Sequence, residues 1–319
     1  MKITLNEAAA QLAAHDRILV LSHQSPDGDT LGSAGALCLG LAKLGKQARF
    51  VCSDPIPPKY DYMISAVPAP DFEPEYIVAV DIADRKLLGK KLDTECPRID
   101  LCIDHHGSNT QYAALCYVDS AAAATCEIIF RLLGLLNIPI GKDIAQCLFT
   151  GISTDTGCFR YANTTPETMR IAAELMEAGA EASEINRQMF EVKTRSRMEL
   201  ERMALDRMEY AFGGKCAMIV ISMEMIARSG ATEGDLEGLA PLPRNVEGVR
   251  VGLTLREKAP GVYKVSVRTG IHVNASHLCA RLGGGGHPQA SGCMLQGELG
   301  EVKEKLLAVV EQFLTGQAV

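Results

Sequence analysis

Four short stretches of the chain carry residue types that belong to metal chemistry. They are His23-Gln24-Ser25-Pro26-Asp27-Gly28-Asp29, an apolar run ending in Asp81, Asp104-His105-His106-Gly107, and Ser153-Thr154-Asp155-Thr156-Gly157. Leu101-Cys102-Ile103 reads as a buried strand that ends abruptly in a carboxylate and two imidazoles. A core has no use for three adjacent ionisable groups, because burying them unpaired would cost several kcal/mol. Metal ligation does. His23, Asp27, Asp29, Asp81, His105 and Asp155 make six hard or borderline ligands. Oxygen-rich ligation with a few imidazoles suits Mn²⁺ or Mg²⁺ better than zinc, whose structural sites prefer thiolates. Two such ions about 3.5–4 Å apart form the usual clamp for displacement at a phosphoester.

These ligands need elements to deliver them. Arg17–Ser22, Tyr76–Asp81 and Leu101–Asp104 are continuous apolar runs of strand length, the pattern of parallel strands covered on both faces. Each ends at or just before a candidate ligand, and open α/β sheets bind their ligands at the carboxyl ends of strands. Asp27 and Asp29 flank Gly28, so they can point to opposite sides of the turn and address two different ions. Taken singly, each acid could instead cap a helix, Asp29 or Thr30 being the candidates in the first loop. A further strand is expected at 45–52. Helices are expected at 5–15, from Asp29 to Gly45, at 121–136 with a four-alanine opening, and at 143–150. The last runs into a polar loop holding Asp155 and Arg160. Another helix spans 166–178, capped by Thr164 or Thr165 and stopped by Gly179.

Beyond it, 183–210 mixes charges of both signs, with Lys193, Arg195 and Arg197, and reads as a solvated linking helix. A second domain then opens with an apolar strand at 215–221, followed by a hairpin around Ala259-Pro260-Gly261 and a helix at 274–282. Gly283-Gly284-Gly285-Gly286-His287 reads as a glycine-rich turn whose backbone N–H groups form an anion nest. With Arg268 it would grip a terminal phosphate or base. The expectation is an α/β protein: a mainly parallel sheet flanked by helices in a catalytic domain (1–185), a linker helix (186–212), and a smaller α/β substrate domain (213–319), with the site in the cleft between domains.

Composition agrees and excludes other classes. At 319 residues the chain exceeds one average domain, and 47% apolar with 22% charged residues is an ordinary globular composition. A formal charge of -7 argues against broad binding to long nucleic acid. The eleven cysteines are scattered, form no CxxC and sit in apolar runs, which reads as small buried hydrophobes in a reducing compartment. With no apolar stretch approaching the roughly 20 residues a membrane helix needs, the expected location is cytoplasmic, with no membrane partner.

HxxPDGD, the strand ending in Asp81, Asp-His-His, and Ser-Thr-Asp-Thr-Gly together resemble the four motifs of the DHH phosphoesterase superfamily. The glycine-rich element resembles the GGGH region of the DHH-associated C-terminal domain, so the likeness covers nearly the whole chain. The pairing is similar to the bacterial nano-RNase/pAp-phosphatase group. That resemblance implies hydrolysis of short RNA oligomers to 5′-monophosphates and of adenosine 3′,5′-bisphosphate to AMP, by hydroxide attack between two metal ions, Mn²⁺ preferred. It implies that His23 and Asp27 hold one ion, Asp29, His105 and Asp155 the other, and that Asp81 bridges. His106 would face the substrate phosphate, and Asp104 would orient an imidazole from behind. Arg268, Gly285, Gly286 and His287 carry over as substrate contacts, and Arg160 is counted with them. Thr269 departs from the group, where a serine is more usual. The pattern leaves a homodimer open. A manganese pyrophosphatase or exopolyphosphatase would share the metal ligands but favour a denser basic pocket in the second domain. A catalytically silent nucleotide-binding regulator would not need both metals. A RecJ-like exonuclease would need a further nucleic-acid-binding domain.

Overall fold

The apolar runs become strands β1 (Ile18–Leu21), β2 (Ala48–Val51), β3 (Tyr76–Val80), β4 (Leu101–Asp104) and β5 (Leu115–Val118). They form one all-parallel sheet in the order β2-β1-β3-β4-β5. The computed structural model describes residues 1–236 and 238–316, in two units, Met1–Val192 and Lys193–Val319. In the first unit, helices α1 (Leu5–Ala14), α2 (Gly28–Lys43), α3 (Asp61–Ile64), α4 (Gly89–Glu95), α5 (Thr125–Leu135), α6 (Lys142–Asp155), α7 (Pro166–Glu177) and α8 (Ala182–Asn186) surround that sheet. Side chains alternate along the strands. Ile18, Val20, Val78, Val80, Leu101 and Ile103 pack into the core shared with α1, α2, α5, α6 and α7. Leu19, Leu21, Ala79 and Cys102 face the other way, against Leu88, Leu92 and Ile99. Neither face is open to water, which is why the runs read as uninterrupted apolar sequence. The strand order reverses between β1 and β3, and the crevice of such a sheet opens at the carboxyl ends there.

Three expectations change. β5 was not anticipated: Leu115-Cys116-Tyr117-Val118 is too short a run to announce itself. The helix expected from residue 121 begins at Thr125, because Ala124 is extended (φ -155°, ψ 154°) and the first N–H groups are taken by a carboxylate described below. The helix expected to stop at residue 150 runs through Asp155.

In the second unit, α9 (Arg195–Leu205), β6 (Glu209–Ala211), β7 (Cys216–Ile221), α10 (Met223–Ser229), β8 (Val251–Ala259), β9 (Val262–Thr269), α11 (Ala275–Ala280), β10 (Gly285–His287), β11 (Ala290–Gln296) and α12 (Leu299–Leu314) follow in order. The sheet runs β10-β11-β9-β8-β7-β6, with only β7 and β8 parallel. One face packs on α11 and α12; part of the other is covered by Leu200, Met203 and Ala204 of α9 with Met225 of α10. The stretch 186–212 is therefore not one helix. A π-helical turn, Arg187–Glu191, closes the first unit, and α9 belongs to the second. The glycine-rich element also differs from the expected turn: Gly285–His287 is an edge strand hydrogen-bonded to β11. Among the described residues no helix is long and apolar enough to cross a membrane. All eleven cysteines are free, and nine are buried.

Candidate metal centre

Each candidate ligand sits where backbone geometry leaves it little choice. His23 follows β1, and its Nδ1 lies 2.8 Å from the carbonyl of Gln24. Asp27 caps α2: its Oδ1 accepts from the N–H groups of Asp29 and Thr30, both at 3.1 Å. The cap role thus falls to Asp27, not to Asp29 or Thr30. Asp29, in the first turn of α2, is fully buried. Its carboxylate meets the start of α5, accepting from Thr125 N at 2.7 Å and Cys126 N at 2.9 Å. A helix N-terminus supplies free N–H donors and a positive dipole end to hold such a charge.

Asp81 has a left-handed backbone, φ 60°, which costs a residue with a Cβ about 1–3 kcal/mol. The twist directly at the end of β3 is held by Asp81 N donating to Ile103 O at 3.0 Å, and Thr125 Oγ1 donates to Asp81 Oδ1 at 2.9 Å. His105 leaves β4 with Nδ1 3.2 Å from Ala122 O. Asp155 ends α6, a helix C-terminus where the dipole disfavours a carboxylate by about 0.3–1 kcal/mol. Both Asp81 and Asp155 are therefore placed against local preference.

The groups converge. His23 Nε2 lies 3.6 Å from Asp27 Oδ1 and 3.7 Å from Asp81 Oδ2. His105 Nε2 lies 3.2 Å from Asp155 Oδ2, 3.7 Å from Asp81 Oδ1 and 3.9 Å from Asp29 Oδ2. Three overlapping groups result among the described residues, His23/Asp27/Asp81, Asp29/His105/Asp155 and Asp81/His105/His106, each with ligand atoms within 4.8 Å of one another. Donors sharing one cation at about 2.1 Å stand about 3–4 Å apart, as these do. His105 Nε2 is buried and makes no hydrogen bond, while Nδ1 faces a carbonyl. With Nδ1 anchored on that carbonyl, Nε2 is the nitrogen left facing the carboxylates, the arrangement in which an imidazole takes a metal once its proton is displaced. The clusters fit divalent metal ions.

Protonation tells the same story. Burial works against a charge on His23, but Asp27 and Asp81 outweigh it and raise its pKa to about 11. Burial opposes the charge on His105 too, and Asp155, Asp29 and Asp81 carry it to about 10. Burial and the neighbouring charge of Asp155 raise Asp29 to about 6. Burial and Asp29 push Asp81 well above the usual carboxylate range. The pocket holds more negative charge than its own residues neutralise.

Asp104 lies behind this set, and His106 sits at its edge beside Asp81. Asp104, fully buried, accepts from His106 Nδ1 at 2.7 Å, from the backbone of His105 and His106, and from Asn109 Nδ2 at 2.7 Å. It orients His106, not His105. His106 is 44% exposed, with its Nδ1 3.6 Å from Asp81 Oδ1. Arg160 lies in the turn after Asp155 with its guanidinium over the ring of Phe190. In the second unit, Arg268 pairs with Ala290 and Ala290 with His287, so Arg268 and His287 share one cross-strand row, and Gly285 and Gly286 lie on the exposed edge.

Thr125, Asn109 and the amide of Cys126 were not anticipated. Only tertiary folding brings α5 to Asp29 and Asp81. Asn109, five residues beyond Asp104, was the one within reach of a sequence argument.

The chain matches the DHH family N-terminal domain over residues 17–152 and the DHHA1 domain over residues 214–316. It is 34% identical over 311 residues to the bifunctional oligoribonuclease and PAP phosphatase NrnA of Thermus thermophilus, covering 95% of this chain and 92% of that protein. To the protein of the same name from Bacillus subtilis it is 25% identical, covering 91% and 92%. A solved structure of an exopolyphosphatase-related protein from Bacteroides fragilis superposes with a TM-score of 0.84 at 26% identity, covering 98% of this chain and 95% of that one. With its ligand motifs in place and both domains matched, this chain belongs to the DHH family and is a phosphoesterase of its DHH–DHHA1 branch.

Proposed function

We propose that the protein hydrolyses RNA oligomers of a few nucleotides, pApA-type dinucleotides included, to 5′-mononucleotides, and removes the 3′-phosphate from adenosine 3′,5′-bisphosphate, using two divalent ions with Mn²⁺ preferred. The observation that carries the two-ion reading is Asp81: one carboxylate oxygen faces His23 and the other faces His105. In this reading His23 and Asp27 hold one ion, Asp29, His105 and Asp155 the other, and Asp81 serves both. Bound there, the pair would supply Lewis acidity and lower the pKa of a water for attack on phosphorus. His106, fixed by Asp104, offers its other nitrogen to a phosphate oxygen. The substrate assignment rests on the relatives, two of which are named oligoribonuclease and PAP phosphatase.

The test is one panel. Purified protein with Mn²⁺ is offered pApA, a long RNA, adenosine 3′,5′-bisphosphate, pyrophosphate and polyphosphate, beside an Asp81→Ala variant. The expected result is turnover of pApA and the bisphosphate, lost in Asp81→Ala by at least 100-fold with the fold retained. Cleavage of pyrophosphate or polyphosphate alone would overturn the substrate assignment, and near-normal turnover by Asp81→Ala would overturn the site.

A further inference from the structure

Arg244 is the half-buried arginine of the second unit that the proposed chemistry leaves unexplained. It lies in a 3₁₀ turn, Leu242–Asn245. Its Nε is buried without a hydrogen-bond partner, and its guanidinium makes no ion pair among the described residues. Two glycines make room for it. A Cβ on Gly252 would stand 2.6 Å from the Arg244 amide nitrogen and 2.8 Å from its Cβ, and one on Gly270 would stand 2.8 Å from Nη2.

Register says which face this is. Gly252 pairs with Arg268 across β8 and β9, Arg268 with Ala290, and Ala290 with His287. Directly paired residues of antiparallel strands point to the same side. Arg244 therefore packs over the Gly252 end of a row whose next side chains are Arg268, Ala290 and His287. Strands are about 4.8 Å apart, so Arg268 and His287 stand about 10 Å apart with only a methyl group between them. The parallel row beside it is Ser266, Gly292 and Gly285, a floor of small side chains. Guanidinium forks match phosphate oxygens two at a time, and an arginine without a counter-ion is in want of an anion.

We propose that Arg244 is the third basic group of an anion seat on this face, which takes the terminal phosphate monoester of a nucleotide substrate while the rest of the nucleotide lies over the small-residue row. The proposal rests on the nucleotide reading above and adds a residue that selects for a phosphorylated end. Arg244 is a positioning and specificity residue, not a catalytic one.

Two measurements decide it. Turnover of pApA and of ApA is compared in the wild type, Arg244→Gln and Arg244→Lys. The expected result is a KM for pApA raised by roughly 10- to 100-fold in Arg244→Gln, with kcat and the KM for ApA little changed. Arg244→Lys should recover part of the loss. Equal losses on both substrates, or none, would overturn the proposal. Calorimetric binding of AMP and adenosine in EDTA, to wild type and Arg244→Lys, is independent of catalysis. The wild type should prefer AMP and the variant should prefer it less; an unchanged preference also overturns the proposal. Should the wild type cleave neither dinucleotide, the nucleotide-hydrolase reading fails while the AMP preference still decides the seat.

Discussion

A hydrogen-bond chain runs from Asn109 through buried Asp104 to the exposed His106: Asn109 donates to Asp104, and Asp104 accepts from His106. Burial pushes the Asp104 carboxyl up, but the bonds from His106 and Asn109 hold it below its ordinary range. Removing Asn109 would leave a fully buried carboxylate one donor short, which costs about 1.5–3 kcal/mol for a charged acceptor. Asn109→Ala is therefore expected to lower thermal stability by that amount and to loosen His106, so that kcat falls while KM holds. Calorimetry and steady-state kinetics check both halves; an unchanged kcat would mean that His106 needs no support. At this scale the sequence was generous with ligands and silent on what holds them. Asp, His and their spacing are written in the chain, whereas Thr125 and the amide of Cys126 become partners of Asp81 and Asp29 only when α5 arrives.

Close helix packing delivers the second cluster. A Cβ on Gly32 of α2 would run into the carbonyl of Cys147 in α6, and one on Gly151 of α6 would meet Cys126 Sγ and stand 2.8 Å from Asp29 Oδ1. These glycines let α2 and α6 approach until Asp29 and Asp155 share His105. Gly151→Val is expected to destabilise the first unit by about 1–3 kcal/mol through overpacking and to weaken Mn²⁺ binding by shifting Asp29. Denaturant titration and calorimetric metal binding read the two effects separately; native metal affinity would show that the contact gives way elsewhere. Small residues in α2 were visible in the sequence, but their partner was not. The helix at 121–136 was legible from its periodicity and still misplaced at its start, because the Asp29 carboxylate, 96 residues away from Thr125, decides which N–H comes first. The glycine-rich element was legible as special and misjudged in form, since edge-strand pairing with β11 depends on a partner that composition does not reveal.

For the whole molecule, the candidate ligand groups among the described residues, where metal binding and protonation would compete, lie in the first unit. His23 and His105, raised to about 11 and about 10 by burial-opposed carboxylate pairing, stabilise the metal-free fold fully below about pH 6.5. That contribution fades as pH rises through 10–11. Metal must displace both protons, so its affinity tightens with pH. In EDTA the melting temperature of the first unit should fall from pH 6.5 to 10. Saturating Mn²⁺ at about 100 times its Kd adds about 2.7 kcal/mol, or roughly 5–11 °C for a unit of 192 residues. At one fixed Mn²⁺ concentration, scanning calorimetry should show the increment growing with pH and confined to Met1–Val192, the unit holding all six candidate ligands. A shift that shrinks with pH would mean that the imidazoles are not the ligands.

By itself the sequence determined the phosphoesterase family, the candidate ligands and the class of fold. Ligand identity is a property of single residues, and strand burial on two faces writes itself as apolar runs, so both survive in one dimension. The tertiary structure decided which carboxylate caps a helix and which oxygen of Asp81 faces which imidazole. It turned Asp104 towards His106 and set Arg244 over the same row as Arg268 and His287. Those are relations between elements far apart in the chain, set by packing distance and strand register, and no local pattern encodes them.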